Sequence, residues 1–550
     1  MAHRVRANRS AFGGAPLPAL VEAMLRPEFY LHRPRRVALI QTHISYVFVA
    51  GRFVYKLKKP VKFSFLDFSR RAARFRACSD EVRFNSRLSP SIYLGVYPVL
   101  RDTHGFRLGS KVAAPDSRAE DYVVKMRRLP ESRFLDHLVA AKRVWLRHIR
   151  LIAVRLASFH RRASVERAWA YGSASAVRKL AIGNLKECRG FVGRTVTREQ
   201  FGAINRYVRR FAKSHWELLN SRARTGHVRE GHGDLRAEHI CLERRDVAIF
   251  DCVEFSEALR YCDVASEIGF LAMDLDRLGA HRLAGELVAA YASLAHDDAL
   301  AMLVPFYKCH RAVVRAKVDM LRSLESEISS RQRGAALQSA QRYFELAMRY
   351  ALCAAPAVIV VCGASGTGKS SIARLLHARL GFAVMNSDCV RKRLAGIPAQ
   401  QRVRAGYAEG IYSDEFTRRT YSTMLSEAQK TMRAGRGVIL DATFKDPRDR
   451  RRVLQLAKRC GLLVLFVECV ANESEIMRRL KRRRLRTDEV SDATAQVYLR
   501  QRREYVPLRE VERENYLRIN TTEEPERIAN EVQRRLERLV AQPAAVRRAA

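Results

Sequence analysis

The segment that most constrains this chain is residues 363–370, which fit the phosphate-loop pattern G-x-x-x-x-G-K-[S/T] at every fixed position. The preceding run Ala357–Cys362 is apolar and rich in β-branched residues, as is typical of a buried parallel strand. After the loop, apolar residues recur at helical spacing over residues 371–380, and Gly381 suits a helix C-cap. We therefore predict a strand, a loop and a helix that bind phosphate through backbone N–H groups.

The loop pattern also predicts individual roles. Lys369 is expected to reach the β- and γ-phosphates of ATP, and the Ser370 hydroxyl is expected to ligate Mg²⁺. A chance glycine-rich turn is the alternative, and the flanking strand and helix argue against it. The predicted nucleotide-binding residues are Gly363, Ala364, Ser365, Gly366, Thr367, Gly368, Lys369 and Ser370.

Length and composition set looser limits. A chain of 550 residues that is 47% hydrophobic has room for two to four domains with substantial cores. No apolar run approaches 18 residues, and no secretory signal core follows the basic N-terminus, so we expect no membrane span. The 11 cysteines are scattered without a C-x-x-C pair, which indicates a reducing cytoplasm rather than a disulfide framework or zinc ribbon.

The net charge of +44 is extreme and raises the question of nucleic acid binding. The basic excess has the same density before and after residue 351, which indicates a general arginine preference more than a focused binding stripe. Nucleic acid is therefore an alternative partner that the charge alone does not favour. One local exception is the basic run at residues 478–484.

The first domain is predicted over residues 1–345. Near its start, alternating apolar residues predict a β-hairpin whose second strand carries Lys56 and Lys58 on one face. A predicted helix over residues 70–88 carries Glu81, which is available to pair with a lysine of that strand. The lysines either protect an edge strand from aggregation or grip nucleotide phosphates.

Three polar side chains are predicted to converge around a second hairpin. Asp234 lies in the loop that leads into it, and His239 and Asp251 lie opposite each other at its open end. A kinase needs one carboxylate to accept a hydroxyl proton and one or two ligands for the Mg²⁺ of its nucleotide. A structural loop histidine is the alternative for His239.

These segments resemble aminoglycoside phosphotransferases, which share the protein-kinase fold, and in particular the subgroup fused to a P-loop ATPase domain. The resemblance implies that Asp234 is the catalytic base, Asp251 a metal ligand, and Lys56 the phosphate lysine with Glu81 as its partner. The resembling segments are His232-Gly233-Asp234 with Asp251, residues 54–60, residues 65–68 and residues 260–267.

The sequence departs from that family at two points. His239 stands where the family pattern has a metal-binding asparagine, and imidazole is a poorer ligand for Mg²⁺ than an amide oxygen. No G-x-G-x-x-G precedes Lys56, and residues 42–45 stand where the phosphate-covering turn belongs. The first domain is therefore a slow kinase, a kinase with altered metal use that includes His239, or a nucleotide-binding remnant.

The second domain is predicted over residues 351–541, with a break after a helix at residues 354–356 and a flexible tail at residues 542–550. Two further apolar strands end near Asp388 and at Asp441, which places both carboxylates at the ligand-binding edge of a parallel sheet. Asp441 is predicted to hold Mg²⁺. Asp388 is predicted to accept the acceptor's proton and Arg391 to orient a phosphate, or else Asp388 caps a helix that begins near Val390.

This domain resembles the P-loop kinase group that includes polynucleotide kinases and zeta toxins. In that group a lid helix carries arginines that stabilise the transferring phosphoryl group. Arg479, Arg482 and Arg483 are the unranked lid candidates, and Arg482 is taken as the catalytic one; a solvated basic face is the alternative. The segment after Asp441 departs from the Asp-Thr-Asn pattern of polynucleotide kinases, which weakens the expectation of a nucleic acid acceptor.

The sequence therefore predicts two domains: an α+β bilobal protein-kinase-like domain, followed by an α/β P-loop NTPase with a parallel sheet and helices on both faces. The predicted function is that of a cytoplasmic phosphotransferase that uses ATP and Mg²⁺ and transfers the γ-phosphate to a hydroxyl of a small molecule. One alternative is a non-catalytic first domain that senses a ligand and regulates the P-loop ATPase. Another is a nucleic-acid-end kinase.

Overall fold

The computed structural model describes residues 17–541, except 64–65, 104, 244–245, 326–327, 354–356, 402, 404–408, 434–436 and 485–490. The predicted tail at 542–550 and the predicted helix break at 354–356 lie outside the described residues. The described chain divides into two compact units, one within Met1–Phe191 and Val208–Leu346, and the other within Val192–Tyr207 and Ala347–Ala550.

Twelve strands are described before residue 350: β1 (Val37–Gln41), β2 (Ser45–Ala50), β3 (Phe53–Lys58), β4 (Lys62–Phe63), β5 (Leu66–Asp67), β6 (Tyr93–Asp102), β7 (Gly105–Leu108), β8 (Ala119–Arg127), β9 (Val228–Glu230), β10 (Ile240–Leu242), β11 (Val247–Ile249) and β12 (Tyr261–Asp263). The α-helices described in this part are α1 (Ala19–Met24), α2 (Arg71–Ser86), α3 (Leu135–Ala140), α4 (Leu146–Arg162), α5 (Ala168–Gly172), α6 (Ala174–Glu187), α7 (Arg198–Ser214), α8 (Trp216–Arg224), α9 (Glu257–Arg260), α10 (Val264–Arg277), α11 (His281–Ala295), α12 (Leu300–Ser323) and α13 (Ser330–Cys353). Short 3₁₀ turns lie at Pro27–Phe29, Glu131–Arg133, Cys188–Phe191 and Ala237–His239.

The first unit begins with an antiparallel sheet of six strands in the order β1-β2-β3-β8-β6-β7. The predicted hairpin is confirmed as β2 and β3, in which Val47 pairs with Lys56. Alternate residues of the hairpin enter the core, including Phe48, Tyr55 and Leu57. Helix α2 packs on β6 and β8 and confirms the predicted helix over residues 70–88. A single helix laid on an antiparallel sheet is the arrangement expected of the smaller lobe of a kinase.

The rest of the first unit is mainly helical. Helix α10 packs against α11 and α12, and α11 packs against α4. Almost every residue of α10 is buried, which places it at the centre of this helical part. Residues 135–162 form two helices, α3 and α4. The second predicted hairpin is confirmed as β10 and β11, with Ile240 paired to Ile249.

The second unit contains the strands β13 (Ala357–Cys362), β14 (Ala383–Asn386), β15 (Val438–Asp441), β16 (Leu463–Val470) and β17 (Tyr516–Asn520). Its helices are α14 (Lys369–Leu380), α15 (Ser387–Leu394), α16 (Asp414–Arg433), α17 (Pro447–Cys460), α18 (Glu473–Arg484), α19 (Ala495–Glu504) and α20 (Pro525–Ala541), with 3₁₀ turns at Gly410–Tyr412 and Arg513–Asn515.

All five strands are parallel, in the order β14-β15-β13-β16-β17. The central strand β13 is buried at every residue, which explains its continuous apolar sequence. Helices α14 and α20 contact each other and the sheet, and α16 and α17 form a second contacting pair on it. The predicted fold class, a bilobal kinase-like unit followed by a parallel α/β unit covered by helices, is confirmed.

Within the part of the chain that the structure describes, no helix combines the length and the apolar character needed to cross a membrane.

Candidate active sites

The phosphate loop of the second unit connects the end of β13 to the start of α14. Gly363, Gly366 and Gly368 have φ angles of 128°, 83° and 91°, in the region that favours glycine. At Gly363 a Cβ atom would lie 2.4 Å from the carbonyl oxygen of Cys469, so no larger residue fits there. The predicted strand, loop and helix are therefore confirmed, and the glycines of the motif meet a steric requirement.

Side chains from other elements hold this loop in place. The Gln501 side-chain oxygen accepts a hydrogen bond of 2.9 Å from the Ser365 backbone N–H. The Thr521 hydroxyl donates to the Thr367 carbonyl at 2.7 Å. Neither Gln501 nor Thr521 was predicted, because only the folded chain brings α19 and the residue after β17 to the loop.

Lys369 lies over the loop, and its ammonium donates to the Ala364 carbonyl oxygen at 2.9 Å. Burial lowers the pKa of Lys369, although the nearby Asp441 carboxylate acts in the opposite direction. The buried ammonium therefore bonds to a neutral carbonyl oxygen, and a negatively charged phosphate oxygen would be a stronger partner.

Asp441 is the last residue of β15 and is only 2% exposed. Its Oδ2 accepts a hydrogen bond of 2.7 Å from the Asn386 side-chain nitrogen. The Ser370 hydroxyl lies close enough to help lower the pKa of this carboxyl. Burial raises the pKa of Asp441, while Lys369 acts to lower it. The expected neighbourhood of Asp441 and the phosphate loop is confirmed, whereas the metal role stays a prediction.

Asn386 is a site residue that the sequence analysis did not assign. It pairs with Asp441 in the parallel register of β14 and β15, and its side-chain oxygen accepts the Cys389 N–H at 3.0 Å. Asn386 is thus the N-cap of α15. The alternative in which Asp388 caps a helix beginning near Val390 is wrong, since α15 begins at Ser387 and Asp388 lies within its first turn.

Asp388 and Arg391 both lie on α15, but their surroundings differ. The charge of Asp388 acts on the pKa values of Lys369 and Asp441, which places its carboxylate near the phosphate loop. Arg391 is 6% exposed. Its guanidinium donates to the Ile411 carbonyl at 2.6 Å and to the Thr417 hydroxyl at 3.0 Å. The roles of Asp388 and Arg391 stay predictions, and Arg391 already has protein partners.

Helix α18 carries the basic run. Arg479 donates to the Thr521 hydroxyl and carbonyl, both at 2.8 Å, and its Nη1 lies 3.1 Å from the position of a Cβ on Gly368. The charge of Arg483 helps to lower the pKa of Lys369. The Arg482 side chain is exposed. Arg479 and Arg483 are therefore the lid candidates placed nearest the loop, and the catalytic role predicted for Arg482 remains untested.

The residues around the phosphate loop suit a magnesium nucleotide. The Ser370 hydroxyl and the Asp441 carboxylate lie close to each other, and both are oxygen donors of the kind that Mg²⁺ prefers. The ammonium of Lys369 and the guanidinium of Arg479 supply the positive charge that phosphates require.

A second candidate site lies in the first unit and begins with an ion pair between its sheet and α2. The Lys56 ammonium bonds to Glu81 at 2.9 Å and to Asp251 at 2.8 Å. The predicted Lys56–Glu81 pair is thus confirmed. Burial acts to lower the pKa of Lys56, but the Asp251 and Glu81 carboxylates outweigh it and raise that pKa well above its usual range.

A second lysine extends the ion pair. Lys58 is 1% exposed and bonds to the other carboxylate oxygen of Glu81 at 2.5 Å and to Glu254. Lys56 and Lys58 therefore hold Asp251 and Glu254, which lie three residues apart in the loop after β11. This loop is bound to β3 at two points, with Glu81 between them. No local pattern in the sequence indicates Glu254, because its partner Lys58 lies 196 positions away.

The predicted convergence of Asp234, His239 and Asp251 is confirmed. His239 Nδ1 lies 2.8 Å from the Asp234 carbonyl oxygen, and its Nε2 lies 3.6 Å from Asp251 Oδ2. Asp234 is also paired with Arg236 at 2.9 Å. Burial would raise the pKa of Asp234, but Arg236 and His239 hold it well below its usual value. Among the residues that the structure describes, no three candidate ligands cluster tightly enough to hold a metal ion alone.

Glu267, on α10, holds the backbone of this catalytic loop. Its carboxylate accepts the His232 N–H at 3.0 Å and the Gly233 N–H at 2.6 Å. His160 bonds to the same carboxylate at 2.9 Å and to the Tyr291 hydroxyl at 2.7 Å. Burial would raise the pKa of Glu267, yet these hydrogen bonds lower it to about 2. The loop that carries Asp234 is therefore fixed by a buried carboxylate.

Comparison with known proteins supports the second unit directly. A family model described as an AAA domain matches residues 358–508, which include the phosphate loop, Asp441 and α18. This match confirms the prediction of a P-loop ATP-binding domain.

Solved structures with similarity to the chain include kinases. A putative kinase from Chloroflexus aurantiacus is 17% identical and covers 33% of this chain and 98% of its own, with a TM-score of 0.27. The APS kinase CysC of Mycobacterium tuberculosis, in complex with AMPPNP and APS, is 19% identical over 33% of this chain and 98% of its own, with a TM-score of 0.25. A choline/ethanolamine kinase family protein from Mesorhizobium loti is 12% identical over 61% of this chain and 99% of its own, with a TM-score of 0.35. At these TM-scores the likeness adds nothing to the geometry described above.

Curated relatives match much more of the chain. Uncharacterized protein Rv2004c of Mycobacterium tuberculosis is 32% identical over 458 residues, which are 83% of this chain and 88% of the relative. Uncharacterized protein Mb2027c of Mycobacterium bovis matches to the same extent. The match is too long for either structural unit alone to account for it. The chain therefore belongs to the same protein family as Rv2004c and Mb2027c.

Proposed function

We propose that the chain is an ATP-dependent phosphotransferase whose second unit transfers the γ-phosphate of ATP to a hydroxyl of a small molecule. The observation that carries this proposal is the arrangement of Ser370, Asp441 and Asn386 around the phosphate loop. A phosphate loop alone supports nucleotide binding, whereas Asp388 adds a carboxylate at the same sheet edge that is available to an acceptor.

In this proposal the residues of the second unit have separate tasks. The backbone N–H groups of the loop and the Lys369 ammonium bind the phosphates, while Ser370 and Asp441 hold Mg²⁺. The bound Mg²⁺ supplies charge neutralisation on the phosphate oxygens. Asn386 keeps the Asp441 carboxylate ionised and oriented through its hydrogen bond of 2.7 Å.

Transfer also requires groups for the acceptor and for the transition state. Asp388 accepts the hydroxyl proton, and Arg391 orients the acceptor from its position one turn further along α15. Arg479 is our leading lid residue, because its guanidinium already reaches the Gly368 end of the loop. Arg482 and Arg483 remain candidates on the same helix.

We further propose that residues 1–345 form the kinase-like domain and residues 351–541 form the P-loop kinase domain. We also propose that the protein acts in the cytoplasm. The cysteines whose side chains the structure describes are unpaired thiols, which agrees with a reducing compartment. A small-molecule acceptor is preferred to a nucleic acid end because the basic residues are spread evenly along the sequence.

The first unit is a second candidate kinase site. The specific observation in its favour is the bonding of Lys56 to both Glu81 and Asp251, which would place a phosphate-binding lysine beside a metal-binding carboxylate. Asp234 would be the catalytic base for the acceptor hydroxyl, and Asp251 would hold Mg²⁺. A ligand sensor that regulates the second unit is the alternative, since residues 42–45 contain no glycine-rich loop.

A labelled-phosphate screen of the full chain tests these assignments. The acceptors are sugars, aminoglycosides, nucleosides and oligonucleotides, and the matched variants are Lys369→Ala and Asp234→Ala. Transfer that is lost in Lys369→Ala and kept in Asp234→Ala assigns catalysis to the second unit, and the reverse assigns it to the first. Transfer that survives in the double variant would refute both assignments.

A further inference from the structure

The buried guanidinium of Arg236 lies where the first unit would be expected to bind a metal ion. Arg236 is 4% exposed, and its Nη2 donates to Asp234 Oδ2 at 2.9 Å, while its Nε lies 3.2 Å from both oxygens of that carboxylate. The same Nη2 lies 3.3 Å from His239 Nε2, and Nη1 is paired with the Glu238 carboxylate. In protein kinases the residue at the position of His239 is an asparagine that holds the second of two Mg²⁺ ions.

The hydrogen bonds of His239 define which of its nitrogens is available. Its Nδ1 lies 2.8 Å from the Asp234 carbonyl oxygen, and since a carbonyl only accepts, Nδ1 carries the proton. Nε2 is therefore the acceptor, and it faces the Arg236 guanidinium. The lone pair that a metal ion would need is already used by a cation.

The second carboxylate of the site is placed differently. Asp251 bonds to Lys56 through Oδ1 at 2.8 Å, and its Oδ2 lies 3.6 Å from His239 Nε2. Asp251 is 43% exposed at its side chain, whereas the His239 side chain is 6% exposed. The Asp251 carboxylate is thus accessible to a metal ion that binds with a nucleotide. The position of a second metal ion, at His239, is blocked by the contact between His239 and Arg236.

We propose that the first unit holds a single divalent metal ion, on Asp251, and that the permanently charged guanidinium of Arg236 supplies the positive charge of the missing second ion. His239 then serves as the hydrogen-bond acceptor that fixes Arg236, and not as a metal ligand. This inference rests on the proposed nucleotide site of the first unit. It explains together the exchange of asparagine for histidine and the burial of an arginine two residues after Asp234.

The number of metal ions bound with a nucleotide tests this inference directly. The full chain carries Lys369→Ala to weaken the phosphate loop, and Mn²⁺ is titrated at a saturating concentration of a non-hydrolysable ATP analogue. Electron paramagnetic resonance measures the free Mn²⁺. The ions assigned to the first unit are those whose binding is lost when Asp251→Ala is added. We expect one such ion per bound analogue.

Substitutions of the arginine provide matched comparisons. Arg236→Met frees His239 Nε2, and we expect the count to rise to two, because imidazole binds Mn²⁺ better than it binds Mg²⁺. Arg236→Lys keeps a positive charge, and we expect the count to stay at one. His239→Asn combined with Arg236→Met rebuilds the two-ion ligand set and gives a second measurement if one single variant fails to fold.

The outcomes separate the two proposals. Two ions in the Lys369→Ala parent, or one ion in every folded Arg236→Met variant, would overturn the single-metal inference while leaving the nucleotide site intact. Failure of the analogue to bind in any way that depends on Asp251 would instead refute the proposed nucleotide site of the first unit, and the inference with it.

Discussion

The hydrogen bond from Asn386 to Asp441 predicts how strongly nucleotide binding by the second unit depends on a residue that supports the proposed metal ligand. Asn386 donates at 2.7 Å to a carboxylate that is 2% exposed, and it also caps α15 through the Cys389 N–H. Asn386→Ala removes both hydrogen bonds. Asn386→Ser keeps a capping hydroxyl but is too short to reach Asp441, so this pair of variants separates the two contributions.

The magnitude follows from the nature of the two bonds. A hydrogen bond to a buried charged group contributes about 1.5–3 kcal/mol, which corresponds to a factor of roughly 10–100 in an equilibrium constant. We therefore expect both variants to weaken Mg²⁺-dependent nucleotide binding by about 10–100-fold, as is typical when the support of a metal ligand is lost. Loss of the cap should cost about 1 kcal/mol of stability in Asn386→Ala alone.

The pH dependence gives an independent check. Burial raises the pKa of Asp441, and the hydrogen bond from Asn386 opposes that rise. Only the ionised carboxylate binds metal well, so affinity should fall on acidification from a higher pH than for an ordinary aspartate, whose pKa is about 4. Both Asn386 variants should move this loss of affinity to a still higher pH.

The assay is calorimetric titration of a non-hydrolysable ATP analogue, with and without Mg²⁺, into the full chain carrying Asp251→Ala to remove the first-unit site. Thermal unfolding of the same samples measures the cap. Wild-type affinity in a folded Asn386→Ser variant, with an unshifted pH profile, would refute the claim that Asn386 supports a metal-binding carboxylate.

Three further changes test other parts of the structure. Glu267→Gln should lower the melting temperature by roughly 5–10 °C near pH 7. Because the Glu267 pKa falls from 4.5 to about 2 on folding, the difference in melting temperature between wild type and variant should shrink as the pH falls through that range. A difference that stays constant with pH would contradict this. Arg479→Ala should reduce kcat about 100-fold or more with little change in nucleotide affinity, whereas Arg482→Ala, its exposed neighbour, should have a small effect; equal effects would contradict the ranking. Oligonucleotide binding should show no steep loss with salt, and a drop of about 10³-fold between about 50 and 200 mM would instead support a nucleic acid partner.

The local elements of the second unit were predictable because their signals are contiguous in the sequence. The apolar run Ala357–Cys362 is buried on both faces as β13, and the loop glycines follow at once. The edge strand β17 was not predicted, since its buried residues alternate with exposed ones over only five positions. Helices α19 and α20 were also not predicted, although the buried residues of α20 recur at helical spacing from Ile528 to Val540.

The site residues likewise divide into those that a local sequence pattern indicates and those that depend on distant partners. Asp441 was predictable as a carboxylate directly after a buried strand, while Gln501 reaches the loop from 136 positions further along the chain. In the first unit, Lys56 and Glu81 were found through a resemblance and an expected pairing. Glu254 and Glu267 were not found, because a buried acidic residue is indistinguishable in sequence from a solvated one until its partners are known.

The proposed function requires the phosphate loop to bind a magnesium nucleotide, and equilibrium binding measures this property. The full chain with Asp251→Ala is titrated with an ATP analogue in the presence of Mg²⁺, and the same chain with Lys369→Ala serves as the comparison. We predict saturable binding of one analogue by the first protein and at least about a 100-fold loss of affinity in the second. No binding by the first protein, or equal binding by both, would contradict the claim.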